Sequence, residues 1–456
     1  MKDLTVRNIA EACGGRYVGP SGLLDLEVTS VTTDSRKAEK GCLFVPIKGE
    51  RADGHDYIAK VMEAGALVTL TEKEEGVPDV PRICVSSTGE AIQKIAGFYR
   101  RALGIPVVGI TGSVGKTSTK EMIAAVLGQK YRVLRTAGNF NNNLGLPLTI
   151  FRLTEEDEIA VLEMGISHFG EMTWLAETAE PDIMVITNIG ECHLEFLGDR
   201  DGVFRAKTEC FDYVKQGGTV ILNGEDDKLI RVEEVHGRRP VFFGMNPGFR
   251  VYADEISPLG LKGTRCRIHV DDDAFETRVP LPGTHMVMNA LAGAAVGALC
   301  GLTMEEIRAG IESLTSMSGR FHIVEKDGLT VVDDCYNANP ASMKASLEVL
   351  KHTPGRRTAI LGDMGELGTD ERRLHREVGH FAGEAGLDTY VTVGTLAKEL
   401  AAGIRKADDT ARVLEYDTVD ALLPELPGLA AGGGTVLVKA SHFMCFDRIV
   451  EALTSD

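Results

Sequence analysis

Val107-Val108-Gly109-Ile110-Thr111-Gly112-Ser113-Val114-Gly115-Lys116-Thr117-Ser118-Thr119-Lys120 is the stretch on which the fold turns. A β-branched apolar run ends in a glycine-punctuated turn, followed by Lys-Thr and the helical sequence Glu121-Met122-Ile123-Ala124-Ala125-Val126-Leu127. The order predicted is strand, phosphate loop, helix. Glycines let backbone N–H groups turn toward phosphate oxygens, and the helix N-terminus adds partial positive charge. Lys116 supplies a point charge for the β- and γ-phosphates, and the Thr117 hydroxyl is a ligand for Mg²⁺. Thr111, Gly112, Ser113, Val114, Gly115 and Ser118 complete the expected cradle. The strict pattern G-x-x-x-x-G-K-[ST] would need a glycine where Ile110 stands, so the loop reads T-G-x-x-G-K-T. A glycine-rich turn with a chance Lys-Thr explains the letters but not the flanking strand and helix. The stretch predicts a nucleoside triphosphate site.

Around this loop lie 456 residues, 43% hydrophobic and 25% charged. That is an ordinary soluble composition, too long for one core, and about three domains are expected. A net charge of -18 argues against a nucleic-acid partner, because phosphate backbones are held by clustered Lys and Arg. The nine cysteines are scattered with no C-x-x-C pair, so neither a disulfide framework nor a zinc site is predicted. Each is expected to be a small buried residue in a reducing compartment. Met1 to Arg7 lacks the apolar core of a signal peptide, and Ala290 to Leu302 is too short to span a bilayer. A cytoplasmic protein without membrane insertion is expected.

Residues 1–104 are expected to form a small α/β unit. Leu4 to Cys13 has helical spacing, Thr33-Asp34-Ser35-Arg36 reads as a turn, and Cys42 to Ile47 as a buried strand. Lys48 to Asp56 is a polar loop, in which Lys48 and His55, with Ser35 and Arg36, suit either solvated turns or an anionic ligand. Residues 105–319 alternate strands with helices, as a mostly parallel sheet requires. The loop Asn139-Phe140-Asn141-Asn142-Asn143 suits tight turns, and also offers Asn141 and Asn142 as neutral groups beside a charged substrate. Glu163 closes the strand Ile159 to Glu163, and His193 lies just beyond the strand Asp182 to Gly190. Ligands of open α/β sheets bind outside those carboxyl ends, which sets both residues near a phosphate-bound metal. Residues 240–281 alternate in period two and predict small antiparallel strands, with a core helix from Met288 to Leu302. Residues 320–456 repeat the strand-then-loop design at Val331 to Pro340 and Arg357 to Gly368, a Rossmann-like α/β pattern without G-x-G-x-x-G. Nothing marks a NAD site there.

Separated motifs then coincide with one family. T-G-S-V-G-K-T, N-F-N-N-N-L-G-L-P, Glu163, N-I-G-E-C-H-L-E, R-A-K-T-E and D-D-C-Y-N-A-N-P resemble the Mur ligases of peptidoglycan synthesis, in family order across nearly the whole chain. T-D-S-R with C-L-F-V-P-I-K-G-E, Y-N-A-N-P-A-S-M and L-G-D-M-G-E-L-G resemble the branch of that family that adds a dipeptide. The D-N-P-R motif of the sibling that adds a third amino acid is missing from the sequence.

The resemblance implies three domains: a UDP-substrate-binding domain (1–104), a central ATP-binding domain (105–319) and a C-terminal ligase domain (320–456). It implies ATP-dependent amide ligation of D-Ala-D-Ala to UDP-MurNAc-tripeptide through an acyl phosphate, with Mg²⁺, by a monomer. Carried over, Lys116, Glu163, His193 and Lys207 are the catalytic set. Thr117 and Glu163 would hold one Mg²⁺; His193 and a carbamylated Lys207 would hold a second. Asn289 matches the adenine contact, Arg320 the phosphate contact from the domain junction and Asp334 the ribose carboxylate. Ser35, Arg36, Lys48 and Gly49 match the region that anchors the UDP end. Cys335 stands where the family usually has serine, Thr284 replaces a basic residue, and Val438-Lys439-Ala440-Ser441-His442-Phe443 departs from V-K-G-S-R-S. A sibling ligase adding a single amino acid is the near alternative. A P-loop kinase or nucleotide hydrolase would release phosphate without D-Ala-D-Ala, and a non-enzymatic nucleotide-binding module would leave Glu163, His193 and Lys207 without a shared purpose.

Overall fold

A computed structural model describes residues 1–49, 52–73, 75–316 and 318–455. Glu50 and Arg51 of the polar Lys48 to Asp56 loop lie outside the described residues. Among the described residues three sheets organise the chain, of five, nine and six strands in sequence order. All are mixed but mostly parallel, and helices cover them, as βαβ crossovers demand.

The nine-stranded sheet carries the phosphate loop. Its Val107–Thr111 strand lies between Ile159–Glu163 and Ile183–Ile186, parallel to both. After that strand the chain builds outward on one side with Val133–Arg135 and Ile159–Glu163. It then crosses to the other side with Ile183–Ile186 and Thr219–Asn223. The reversal of strand order at Val107–Thr111 opens a crevice at its carboxyl end, where α/β sheets bind ligands. Val241–Gly244 is parallel to both neighbours, and only beyond Val251–Pro258 do antiparallel partners follow. The antiparallel expectation for residues 240–281 is thus corrected at its first strand, because period-two alternation reports a sheet face and not a strand direction.

The five-stranded sheet and one face of the nine-stranded sheet share a continuous core that runs from Leu4 to Leu229. The helix Thr88–Leu103 sits at this seam, where the Tyr99 hydroxyl donates to Leu153 O at 2.7 Å and Arg100 pairs with Glu180 at 3.0 Å. The six-stranded sheet keeps its own core on each face and, among the described residues, takes in only Leu194 and Leu261 from the central sheet's side. Cysteines depart from expectation at Cys84 and Cys300, which are partly exposed, and at Cys445, which is exposed in a left-handed turn. Among the described residues no helix is long and apolar enough to cross a membrane.

Candidate active site

Register explains the short form of the loop. Ile110 is a fully buried strand residue opposite Glu163 on one side and Val185 on the other, so the turn begins only at Gly112. A β-carbon on Gly112 would lie 1.9 Å from Thr187 Oγ1, and no side chain fits. Asn188 braces the loop from the neighbouring strand end: its Oδ1 accepts from Val114 N at 3.0 Å, and its Nδ2 donates to Val114 O at 2.9 Å. Gly115, at φ +83°, turns the chain into the helix Lys116–Leu127. Lys116 Nζ donates to Gly112 O at 2.9 Å.

Glu163 ends its strand with a side chain that is 1% exposed. Oε1 accepts from Thr117 Oγ1 at 3.1 Å and from Asn141 Nδ2 at 2.8 Å. Asn141 reaches it because Gly165 lacks a β-carbon, which would lie 2.9 Å from the amide. Oε2 has no hydrogen-bond partner, and its nearest cation, Lys120 Nζ, stays 3.9 Å away while bonded to Thr136 O at 2.7 Å. A buried carboxylate oxygen left unpaired is costly unless a cation completes it.

The second orphan is Lys207, on the helix Arg200–Thr208 that Asp199 caps. The residue is fully buried, and among the described residues its Nζ has no hydrogen-bond partner. Burial pushes its pKa down to about 8; the charge of Lys116 adds to the fall, while the Cys192 thiol offsets part of it. His193 lies in a left-handed conformation, with Nδ1 2.5 Å from Glu366 Oε2 of the six-stranded domain. That contact holds the Glu366 carboxyl below the usual carboxylate range.

Across the cleft, Asp334 is fully partnered. Oδ2 accepts from Lys439 Nζ at 2.6 Å and Ser346 Oγ at 2.5 Å, and Oδ1 accepts from Phe321 N at 3.1 Å. The Arg320 guanidinium lies 4.1 Å over the Tyr336 ring, which in turn stacks with His442 at 5.7 Å. Cys335 turns inward, its Sγ 3.0 Å from Asp333 Oδ1, and burial raises the thiol pKa strongly. Both domains wall one cavity of about 800 Å³, within the range of small-molecule sites.

Among the described residues no three His, Cys, Asp or Glu form a ready metal cage. Mg²⁺ rarely needs one: it takes one or two carboxylates and fills its octahedron with phosphate oxygens and water. Thr117 with the free Glu163 oxygen fits that pattern.

Three family models match the chain: the Mur ligase family catalytic domain over residues 27–112, the Mur ligase middle domain over 110–297, and the Mur ligase glutamate ligase domain over 319–442. The chain is 38% identical to the UDP-N-acetylmuramoyl-tripeptide–D-alanyl-D-alanine ligase of Bacillus subtilis (strain 168), with 98% of each chain covered. It belongs to the Mur ligase family. It is also 35% identical to the enzyme of that name from Escherichia coli (strain K12), over 99% of each. Among solved structures, MurF from Acinetobacter baumannii superposes with a TM-score of 0.92 at 31% identity, covering 99% of each chain. MurF ligase from Thermotoga maritima, in complex with ADP, gives 0.84 at 30% identity, covering 93% of this chain and 97% of that one.

In this Mur ligase the cavity wall gathers Ser113 to Ser118, Asn141, Asn142, Glu163, His193, Asn289, Arg320 and Asp334. Thr111 is fully buried behind the loop and donates to Met164 O at 2.8 Å. Gly112 meets Lys116 through its carbonyl and does not line the cavity. Lys207 lies under the surface. Ser35, Arg36, Lys48 and Gly49 sit on the first sheet's domain, outside this cavity; Arg36 there pairs with Asp34 at 2.8 Å. Asn289 Oδ1 accepts from Thr119 Oγ1 at 2.9 Å, tying two helices together. The sequence reading missed Asn188, Lys120, Lys439 and Glu366. Lys120 was within reach of it, since it lies one helical turn after Lys116. Glu366 stood in a quoted motif but had no visible partner, because that partner is in another domain.

Proposed function

We propose that this Mur ligase joins D-alanyl-D-alanine to UDP-MurNAc-tripeptide with ATP, giving UDP-MurNAc-pentapeptide, ADP and phosphate. The observation that carries the chemistry is a pair of buried orphans beside the phosphate loop: Glu163 Oε2, on a carboxylate bonded to Thr117, and Lys207 Nζ, within reach of the Lys116 charge. Simple nucleotide binding gives them no use. The tripeptide carboxylate must approach a triphosphate of like charge, so the site has to neutralise both.

A carboxylate oxygen bonds the γ-phosphorus and the bridge to ADP breaks, leaving an acyl phosphate. The amine of the dipeptide adds to its carbonyl carbon and loses a proton, and phosphate departs as the amide forms. Lys116 and the loop amides hold the phosphates through both steps, and Arg320 adds positive charge from the far wall. Mg²⁺, held by Thr117 and Glu163 and at a second position by His193 and Lys207, would supply charge neutralisation.

For Lys207 to serve there it must become an anion. With a pKa of about 8, roughly a tenth is neutral amine at pH 7, enough to add to CO₂, release a proton and form a carbamate. The neighbouring expectations belong to the same reading: residues 1–104 bind the UDP substrate, 105–319 bind ATP and 320–456 form the C-terminal ligase domain, in a cytoplasmic monomer. Asp334 and Asn289 would hold ribose and adenine, and Ser35, Arg36, Lys48 and Gly49 the UDP end. The test is phosphate release with ATP and UDP-MurNAc-tripeptide, with and without D-Ala-D-Ala. Turnover that ignores the dipeptide would make this a hydrolase.

A further inference from the structure

Glu366 and His193 face each other from different domains, each just past the carboxyl end of a parallel strand, Arg357–Gly362 and Ile183–Ile186. Both carry β-carbons in left-handed backbone, at φ 60° and 52°, a conformation that most L-residues avoid. Such strain persists where the surroundings impose it. On the Glu366 side the imposing groups are visible. Met364 N donates to His375 Nε2 at 2.8 Å, and the buried His375 ring is oriented in turn by Glu371 O at 2.6 Å from Nδ1. Gly365 N donates to Ser441 Oγ at 2.9 Å, and Ser441 N donates to Asp363 O at 3.1 Å. Gly368 lies against the Glu195 backbone, so the clamped loop also touches the turn that carries His193.

Among the described residues of its own domain, no side chain pairs with the carboxylate so held. Among the described residues its one ion-pair partner is His193 Nδ1, at 2.5 Å. The two atoms meet without a hydrogen bond, so the contact is one of close approach and position. With Nδ1 facing Glu366, Nε2 is the nitrogen left for a ligand in the cavity that both residues line. A carboxylate seated behind a histidine restricts the orientation of its ring.

We propose that Glu366 is a positioning residue that fixes the His193 ring from the C-terminal domain, so the His193 side of the site is complete only when that domain is seated. The kinetic part of this rests on the ligase reading; the structural part does not. Amide exchange over residues 191–197 and 363–368 would be measured on the full chain with ADP and Mg²⁺, for Glu366→Gln, Glu366→Ala, His193→Ala and the double variant Glu366→Gln with His193→Ala. Each single change should speed exchange of the facing segment about three- to tenfold, and the double variant no more than the larger single. Glu366→Gln should also lower kcat about 10- to 100-fold with KM for ATP held within about twofold. Glu366→Asp, one methylene short, should match it. Additive exchange effects overturn the proposal, as does unchanged exchange in both Glu366→Gln and Glu366→Ala. Loss of dipeptide dependence with the exchange coupling intact would sink the ligase reading alone.

Discussion

Two buried lysines belong to opposite domains beside the same cleft, Lys439 lining it and Lys207 under its surface, and they are built on opposite principles. Lys439 is 2% exposed and gives its charge to Asp334 at 2.6 Å, with Asn337 O as a further acceptor at 3.2 Å. Lys207 is fully buried and gives its charge to nothing. The carboxylates divide in the same way: both Asp334 oxygens are bonded, whereas Glu163 keeps one oxygen free. A satisfied pair is finished architecture, since removing either member strands the other. An unsatisfied group costs stability in the free protein and is retained where something else completes it. The C-terminal wall is thus fixed in shape, while the central wall is incomplete in charge.

The largest effect should come from deleting the orphan. Lys207→Ala should lower turnover about 10³-fold or more, because several kcal/mol of charge stabilisation leave with the carbamate. Added short-chain carboxylates should restore part of it; full activity in Lys207→Ala would end the carbamate idea. Lys207→Met should meanwhile unfold no earlier than the parent. The sign of the pH dependence follows from the lowered pKa. Below about pH 8 the amine is protonated in both states, and burying the cation costs stability in full. From there to the ordinary value of 10.5 the unfolded chain binds more protons, so stability rises with pH. The gain should approach about 3 kcal/mol in CO₂-free buffer and be missing from Lys207→Met, as urea unfolding at a series of pH values would show.

Deleting the satisfied lysine should act on stability first. Lys439→Met leaves Asp334 largely buried without its cation and should cost about 3 kcal/mol or more in urea unfolding. If Lys439→Met unfolds like the parent while Lys207→Met unfolds early, the two lysines have been assigned the wrong way round.

What the sequence disclosed follows the same division. The phosphate loop was legible because its chemistry is local, and Glu163 and His193 were legible because strand ends of one parallel sheet share an edge. Even the Ile110 misfit is a strand residue read correctly as lying outside the loop motif. The orphan state of Lys207 was not legible: an amphipathic helix shows which face is buried, not whether a buried amine finds an acceptor. Glu366 was hidden for a different reason. Its partner lies 173 positions earlier in the chain, on the other side of a domain junction that no periodicity encodes. The direction of Val241–Gly244 was lost likewise, since alternation is the same in parallel and antiparallel strands.

The smallest predicted effect probes how the central wall tolerates its incompleteness. Asn141 and Thr117 are neutral donors sharing one oxygen of Glu163, and they stabilise the carboxylate without cancelling its charge. A cation in their place, as Lys439 is for Asp334, would satisfy the group and remove its pull on a metal. Asn141→Ala should therefore cost only about 1.5–3 kcal/mol of stability, the worth of one hydrogen bond to a charged acceptor. Turnover should fall more gently than in Lys207→Ala, with the loss appearing mainly as a higher Mg²⁺ requirement, because Glu163 keeps its charge but loses its aim. Asn141→Lys should do the reverse: it should hold or raise the melting temperature and depress activity further than alanine does. If Asn141→Lys is the more active of the two variants, the free charge on Glu163 is not what the site is built to keep.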